Sequence, residues 1–394
     1  MRVLIVHALY DTLGGGEHLS LRLADILRNA GHDVTVLTST ELDRDVVRMI
    51  FGIDISRLRI VVKRVGLAEA LKCVSRGRLV RLRRLMVYRR LFKEFVEPYR
   101  DEYDVVIETQ SNIVAPADIS YIHYPALALY RSGDPAKRGI HWRVYNWLVR
   151  RYIDTRFRNA KAGRVVTNSR WTAGLIYRLY GVVADVVHPP VDVETFSRVA
   201  SNDVREKLVV TVSRFTPEKN LMAILDVAER MRDHTFVIAG TVDRYTAGYY
   251  SAIAEEARRR RLDNVVLEPN CPRHRLLSYL EHAMIYLHPP YAEHFGISVV
   301  EAMAAGAVPL VYRDGGAWTD IVSPLSPMLG YRSIEEVPSI IRRLESDQRL
   351  YRELRARGIE HAKRFSTEVF GRRMLELISY VAEVKQLSRA VGRV

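Results

Sequence analysis

Short continuous apolar runs alternate with amphipathic stretches along most of the chain. Val3–His7 and Val34–Leu37 are runs too short for helices, and between them Leu19, Leu23, Ile26 and Leu27 recur at three- and four-residue spacing. Continuous runs fit strands buried on both faces, and the three-four spacing fits a helix with one apolar side. Strand, helix and strand in that order predict a βαβ opening to a parallel sheet. The same pattern predicts strands at Tyr103–Ile107, Asp118–Ile122, Arg164–Asn168 and Asp185–His188. A second series follows at Leu208–Ser213, Thr235–Gly240, Val265–Glu268, Met284–His288 and Val308–Tyr312. Helices are predicted between the strands and at Trp171–Tyr180, Ser333–Leu344, Arg349–Lys363 and Thr367–Leu387. The fold class expected is therefore α/β, with two doubly wound parallel sheets.

A length of 394 residues fits two domains of ordinary size, and 48% hydrophobic with 27% charged residues fits globular ones. Polar residues Ser197–Lys207 predict the joint, giving domains of 1–196 and 197–365 and a last helical segment of 366–394. The opening run is expected to be a strand rather than a signal peptide, because it lacks a long apolar region and a cleavage site. No apolar run approaches the roughly 18–20 residues that cross a bilayer. Cys73 and Cys271 supply neither a disulfide framework nor a metal site, which points to a reducing cytoplasm.

Net charge changes this picture. Residues 1–196 hold 31 Lys and Arg against 21 Asp and Glu, and the remainder 29 against 25, so most of the +14 lies in the first half. An anionic partner is expected there. Residues 72–100 concentrate it: Lys72, Arg76, Arg78, Arg81, Arg83, Arg84, Arg89, Arg90, Lys93 and Arg100 surround Leu82, Leu85, Met86, Phe92, Phe95 and Val96. This is a basic amphipathic helix or helix pair. It either packs its apolar stripe on the domain with solvated arginines, or rests on an anionic membrane surface at about 1 kcal/mol per cation. Arg143–Arg164 is a second basic run. Nucleic acid is not expected as a partner, since no nucleic-acid-binding fold or interleaved stacking aromatics accompany the charge; a basic nucleic-acid-binding protein remains a remote alternative.

Candidate chemistry concentrates in residues 288–306. A strand ending at His288 turns through Pro289 and Pro290, passes Glu293, and opens a helix near Gly296 that carries Glu301. The first turn of such a helix presents unpaired N–H groups and a positive dipole end, which suit a phosphate. Two carboxylates flanking that gap suit hydroxyls of a nucleotide sugar. Gly14-Gly15-Gly16 follows the first strand but does not fit Gly-x-Gly-x-x-Gly, and no acidic residue closes the second strand, which argues against a dehydrogenase. His123 and Tyr124 end a strand, where active-site loops of parallel sheets lie. Arg214 and Lys219 bracket Pro217 at a predicted helix start, a placement suited to a diphosphate. Asp43-Arg44-Asp45 imitates a metal-binding Asp-x-Asp, but lies on a polar segment and is taken as accidental.

The string from Pro289 to Gly306 resembles the donor motif of retaining glycosyltransferases of family 4, with Pro290 in the place of the usual serine. Gly14–Glu17 resembles that family's Gly-Gly-x-Glu loop, and Arg214 with Lys219 its Arg/Lys pair. The strings Ile-His-Tyr-Pro and Glu-His-Phe-Gly-Ile look most like family members that use GDP-mannose to extend a lipid-linked oligosaccharide. The resemblance implies a GT-B fold, two Rossmann-like domains facing across a cleft, with the last helix crossing back onto the first. It implies transfer of a hexose, mannose favoured, with retention and without a metal. Glu293, His123, Arg214 and Lys219 would be catalytic. Gly15, Gly16, Leu277, His294, Phe295, Gly296, Ile297 and Glu301 would join Arg214, Lys219 and Glu293 around the donor. Gly14, Gly15, His123 and Tyr124 would meet the acceptor. No cofactor is expected beyond the co-substrate, GDP-mannose or a UDP-sugar. The acceptor is expected to be lipid-linked, with the enzyme peripheral at the cytoplasmic membrane face; a UDP-sugar with a soluble or polysaccharide acceptor is the alternative.

Overall fold

The computed structural model describes residues 1–10, 14–65, 80–128, 147 and 163–391. They divide into two compact units: Met1–Asn168, Thr172–His188 and Phe370–Val394 in the first, Ser169–Trp171 and Pro189–Val369 in the second.

The first unit runs β1 (Arg2–Val6), α1 (Gly15–Asn29), β2 (Asp33–Thr38), α2 (Arg44–Phe51), β3 (Arg59–Val62), α3 (Val80–Leu91), β4 (Val105–Glu108), β5 (Ile119–Ile122), β6 (Arg164–Thr167), α4 (Arg170–Tyr180, from Thr172 onward) and β7 (Asp185–Val186). Among the described residues its seven strands are parallel, in the order β3-β2-β1-β4-β5-β6-β7. Ile5 pairs with Val36 on one side and Ile107 on the other, so β1 lies inside the sheet and needs apolar residues on both faces. Val3 and Ile5 point to Leu19, Leu23 and Leu27 of α1. Leu4 and Val6 point to the other face, against Val87, Leu91 and Phe92. Chain order reverses between β1 and β4, and ligand loops of such sheets gather at the strand ends beside that point.

Pattern reading misses α2 and β3 for a physical reason. Only Val47 of α2 is buried, and its eight residues make about two turns, too short a stretch for the spacing of Val47, Ile50 and Phe51 to stand out as a helical period. Asp43 is its N-cap, accepting from the N–H groups of Asp45 and Val46 at 2.9 and 3.1 Å, so the Asp-x-Asp lookalike is a capping device. Of the basic stretch 72–100, residues 72–79 lie outside the described residues. From Val87 to Val96 the apolar side chains Val87, Tyr88, Leu91, Phe92 and Val96 face the core, leaving Arg89, Arg90 and Lys93 exposed. Over this portion the stripe packs on its own domain. The basic run at 143–164 falls outside the described residues apart from Trp147, Gly163 and Arg164.

The second unit runs α5 (Val193–Ser197), β8 (Glu206–Val212), α6 (Met222–Arg230), β9 (Thr235–Gly240), α7 (Ala247–Arg259), β10 (Val265–Pro269), α8 (Arg273–His282), β11 (Ala283–Leu287), α9 (Ile297–Ala304), β12 (Val308–Tyr312), β13 (Gly330–Tyr331), α10 (Val337–Ser346) and α11 (Gln348–Ala362). Its parallel sheet has the order β10-β9-β8-β11-β12-β13, again reversing beside the first strand. The unit begins at Pro189, not at the expected 197. Val191, Val193 and Phe196 pack into the second core, and that apolar anchor outweighs the polar run behind it. The final helix, α12 (Thr367–Val391), belongs to the first unit from Phe370 onward. Phe370, Met374 and Ile378, four residues apart, bury one face beside α1, each worth roughly 1.5–3 kcal/mol. Lys385 adds a clamp, donating to the Asp118 carboxylate at 2.9 Å and the Asp104 carbonyl at 3.0 Å.

Candidate functional site

In the second unit the loop after β11 is shaped by two glycine positions. Gly296 caps α9 at φ +104°, a left-handed conformation that suits glycine. Gly315, at φ +89°, bridges Glu293, and a Cβ there would stand 2.3 Å from the Glu293 carbonyl oxygen. Gly316 N–H donates to that same carbonyl at 2.6 Å. The Gly-Gly pair thus lets one loop lie directly on another and fixes Glu293 in front of the α9 amino end.

Lys219 Nζ donates to Glu293 Oε2 at 2.7 Å, with both side chains under one fifth exposed, at 16% and 18%. The Tyr291 hydroxyl bonds both Lys219 and Glu293, and the ammonium lies 4.4 Å from the Tyr291 ring centroid. Burial alone would raise the Glu293 pKa; the Lys219 charge overrides it and brings the group down to about 2. Glu293 is therefore a carboxylate throughout the physiological range. His288 Nε2 lies 3.7 Å from it, and burial pushes that imidazole down to about 4, leaving it neutral. His294 donates its N–H to Glu293 Oε1 at 3.0 Å, and burial lowers its imidazole pKa too.

Other predicted donor residues spread around this knot. Pro217 opens a single 3-10 turn, Pro217–Lys219, rather than the expected helix, because Asn220 turns left-handed at φ 49° before α6 starts at Met222. Arg214 is exposed in the same loop, 4.0 Å from Glu218. The Phe295 ring is in the core against Phe365, so the ring itself does not face a ligand. Ile297 opens α9, whose first turn leaves N–H groups pointing away from the helix. Leu277 on α8 is partly buried against the same core. Glu301, half-buried on α9, is pushed up to about 7, chiefly by burial; Arg273 opposes the shift and Asp192 adds to it. Among the described residues no group donates a hydrogen bond to its carboxylate. Asp320 is buried and accepts from Arg170 N–H at 2.9 Å, a structural task.

In the first unit the glycine turn and His123 come together. Gly14 caps α1, and a Cβ on Gly16 would stand 3.4 Å from His123 Nε2. That nitrogen is 3.0 Å from the Thr109 carbonyl. Asn112 Oδ1 accepts from the N–H groups of His123 and Tyr124 at 2.8 and 3.1 Å, which fixes the loop carrying both. Glu17 turns inward, accepting from Gly14 N–H at 3.1 Å.

Sequence reasoning missed Tyr291, His288, Thr109 and Asn112. Nothing in the sequence marked that the successive glycines at 315–316 lie against Glu293. Two other polar features lie elsewhere. An open cavity of about 780 Å³ at the start of β8 is lined by Arg205, Lys207, Arg342, Arg343, Glu206 and Glu345 among others. Lys207 and Arg342 there are already paired with Asp233. His234 meets Asp233 through Nδ1 at 3.2 Å and Glu345 through Nε2 at 3.0 Å. One ion binds one ring nitrogen, so this is an ion-pair network rather than a three-ligand cage.

Two parallel α/β units, each with polar loops at the carboxyl ends of its central strands, make up the GT-B fold. Two family models agree: "Glycosyltransferase Family 4" matches residues 13–195 and "Glycosyl transferases group 1" residues 192–365. The chain belongs to glycosyltransferase family 4. It is similar to the GDP-Man:Man(3)GlcNAc(2)-PP-Dol alpha-1,2-mannosyltransferase of Mus musculus, 30% identical over 235 residues, 52% of this chain and 48% of that one. The protein of the same name from Neurospora crassa is 27% identical over 326 residues, 70% of this chain and 58% of that one. The matches thus span 48% and 58% of the length of these two relatives. Sucrose-phosphate synthase of Thermosynechococcus elongatus shares the fold at a TM-score of 0.67 and 16% identity, over 99% of each chain.

Proposed function

We propose that this protein transfers mannose from GDP-mannose to a lipid-linked saccharide at the cytoplasmic membrane face, with retention of the α configuration. The observation that carries the reading is the Lys219–Glu293 pair at the amino end of α9. A cation and backbone donors beside a carboxylate held ionised suit a diphosphate next to a sugar. The names of the relatives, GDP-mannose enzymes acting on a dolichol-linked oligosaccharide, supply the donor and acceptor class.

Cleavage of the bond from C1 to the donor phosphate builds negative charge on the leaving diphosphate and positive charge on the ring. Lys219, Arg214 and the N–H groups from Phe295 to Ile297 stabilise the diphosphate, an electrostatic effect fixed before reaction. Lys219 must then leave Glu293 for the phosphate, freeing the carboxylate to accept sugar hydroxyls. Glu301 accepts from the ribose hydroxyls, beside Leu277. His123, with Gly15 and Gly16, orients the sugar, and Tyr124 with Gly14 meets the acceptor. The acceptor oxygen forms its bond to C1 on the face that the phosphate leaves. Its proton passes to the departing phosphate oxygen, so no protein base is needed, and fixed cations take the place of a metal. No helix among the described residues is long and apolar enough to cross a membrane; exposed cations such as Arg89, Arg90 and Lys93 would serve contact with anionic lipid.

The test is transfer from GDP-mannose and from a panel of UDP-sugars to a dolichol-linked saccharide, with and without EDTA, with product anomer read by NMR. The reading expects an α-mannosyl product, unaffected by EDTA. A β product, a UDP-sugar preference or loss of activity with EDTA would each overturn the corresponding part.

A further inference from the structure

The strongest unassigned feature is a chain of buried polar groups beneath the first unit's loops. Thr109, just past β4, serves two histidines at once. Its carbonyl oxygen lies 3.0 Å from His123 Nε2, and its hydroxyl 2.9 Å from His7 Nδ1. A carbonyl can only accept, so His123 Nε2 carries a proton toward it. On the far side of His7, Nε2 faces Glu17 Oε1 at 3.9 Å, and the other Glu17 oxygen accepts from Gly14 N–H at 3.1 Å. Tyr10 covers the His7 ring at a centroid distance of 4.3 Å.

His7 and Glu17 are 1% and 8% exposed. Groups so buried do not reach a substrate, and polar groups in such places cost stability unless they are matched. An apolar pair would fill the same space more cheaply. What the polar chain adds is alignment. It ties the end of β1, the end of β4, the glycine turn and His123 to one another. Gly16 faces the His123 ring closely enough that a Cβ added there would just touch it, at 3.4 Å from Nε2, so the turn and the ring share one boundary.

We infer that His7 is a positioning residue: through Thr109 and Glu17 it holds His123 and the glycine turn in register for sugar transfer. This rests on the functional reading above, in which His123 orients the donor sugar. Positioning to within a fraction of an ångström is worth large rate factors, whereas binding of the nucleotide to second-unit residues is indifferent to it.

The experiment uses the full chain and compares Thr109→Val, Thr109→Ser, His7→Ala, His123→Ala and the His7→Ala/His123→Ala pair. For each it measures GDP affinity by titration calorimetry, kcat and KM for transfer, and melting temperature. Thr109→Val removes the hydroxyl at nearly constant volume and should lower kcat about tenfold or more, with GDP affinity within about twofold of wild type. Thr109→Ser restores the hydroxyl and should recover most of the rate. The double variant should be no more than about twofold slower than His123→Ala alone, because the two residues act as one unit. Independent, multiplying effects of His7 and His123, or a serine variant as slow as the valine one, would overturn the inference. If His7→Ala does not fold, the Thr109 pair decides. A wild-type protein without transferase activity would remove the functional reading and this inference together; an active wild type with Thr109→Val unchanged would remove this inference alone.

Discussion

Replacing Lys219 by methionine keeps the length of the side chain and removes its charge. The ammonium sits 2.7 Å from Glu293 with both groups largely sheltered, and Glu293 is held at about 2 from an ordinary 4.5. A shift of that size corresponds to roughly 3 kcal/mol of linkage. In the wild type the folded pKa lies below the unfolded one. The stabilisation is therefore full above pH 4.5 and disappears as pH falls toward 2. Without Lys219 the dominant remaining influence is burial, which raises the carboxyl pKa and reverses the sign. Lys219→Met should cost about 3–5 kcal/mol at pH 7, consistent with leaving a sheltered charge unpaired. The gap to wild type should narrow steadily as pH falls below the raised carboxyl pKa. Adding Glu293→Gln to the methionine variant should recover most of the loss. Urea unfolding of the three proteins from pH 4 to 8 measures this. A loss of equal size at pH 4 and pH 7, or no recovery from the second change, would refute the reasoning.

Further outcomes follow from single positions. Gly315→Ala places a Cβ 2.3 Å from the Glu293 carbonyl at φ +89°; strain of about 1–3 kcal/mol should lower the melting temperature, and nucleotide affinity should fall about tenfold. Because Glu301 is pushed up to about 7, its carboxylate fraction grows as pH rises through neutrality. Nucleotide affinity should therefore strengthen from pH 6 to 8 in the wild type, more than in Glu301→Gln; equal pH slopes by calorimetry would contradict this. Lys385→Met removes the clamp on Asp118 and the Asp104 carbonyl. Since Arg100 still holds Asp118 at 2.7 Å, the cost should be only about 1–2 kcal/mol, seen as faster amide exchange in α12.

Strands β1, β9 and β12 were legible from sequence because their buried faces leave unbroken apolar runs. The α2 helix was not, since eight residues are too few to establish a helical period, and β13 has two residues, too few for any pattern. The boundary at Pro189 was hidden because a polar run and a domain edge need not coincide. At the site, residues on one local stretch were readable: Gly296 as a cap and Glu301 on the helix behind it follow from spacing. Long-range partnerships were not. Thr109 meets His7 across 102 positions and Lys219 meets Glu293 across 74, and no local pattern encodes which loop lies on which.

The central claim is that the second unit grips a diphosphate with Lys219 and the amino end of α9. A crystal structure with GDP-mannose tests it most directly. The account predicts the pyrophosphate within hydrogen-bond reach of Lys219 and the Gly296–Ile297 N–H groups, the ribose on Glu301 and a sugar hydroxyl on Glu293. A diphosphate bound instead among Lys207, Arg342 and Arg343, or Lys219 still locked to Glu293 with ligand present, would contradict it.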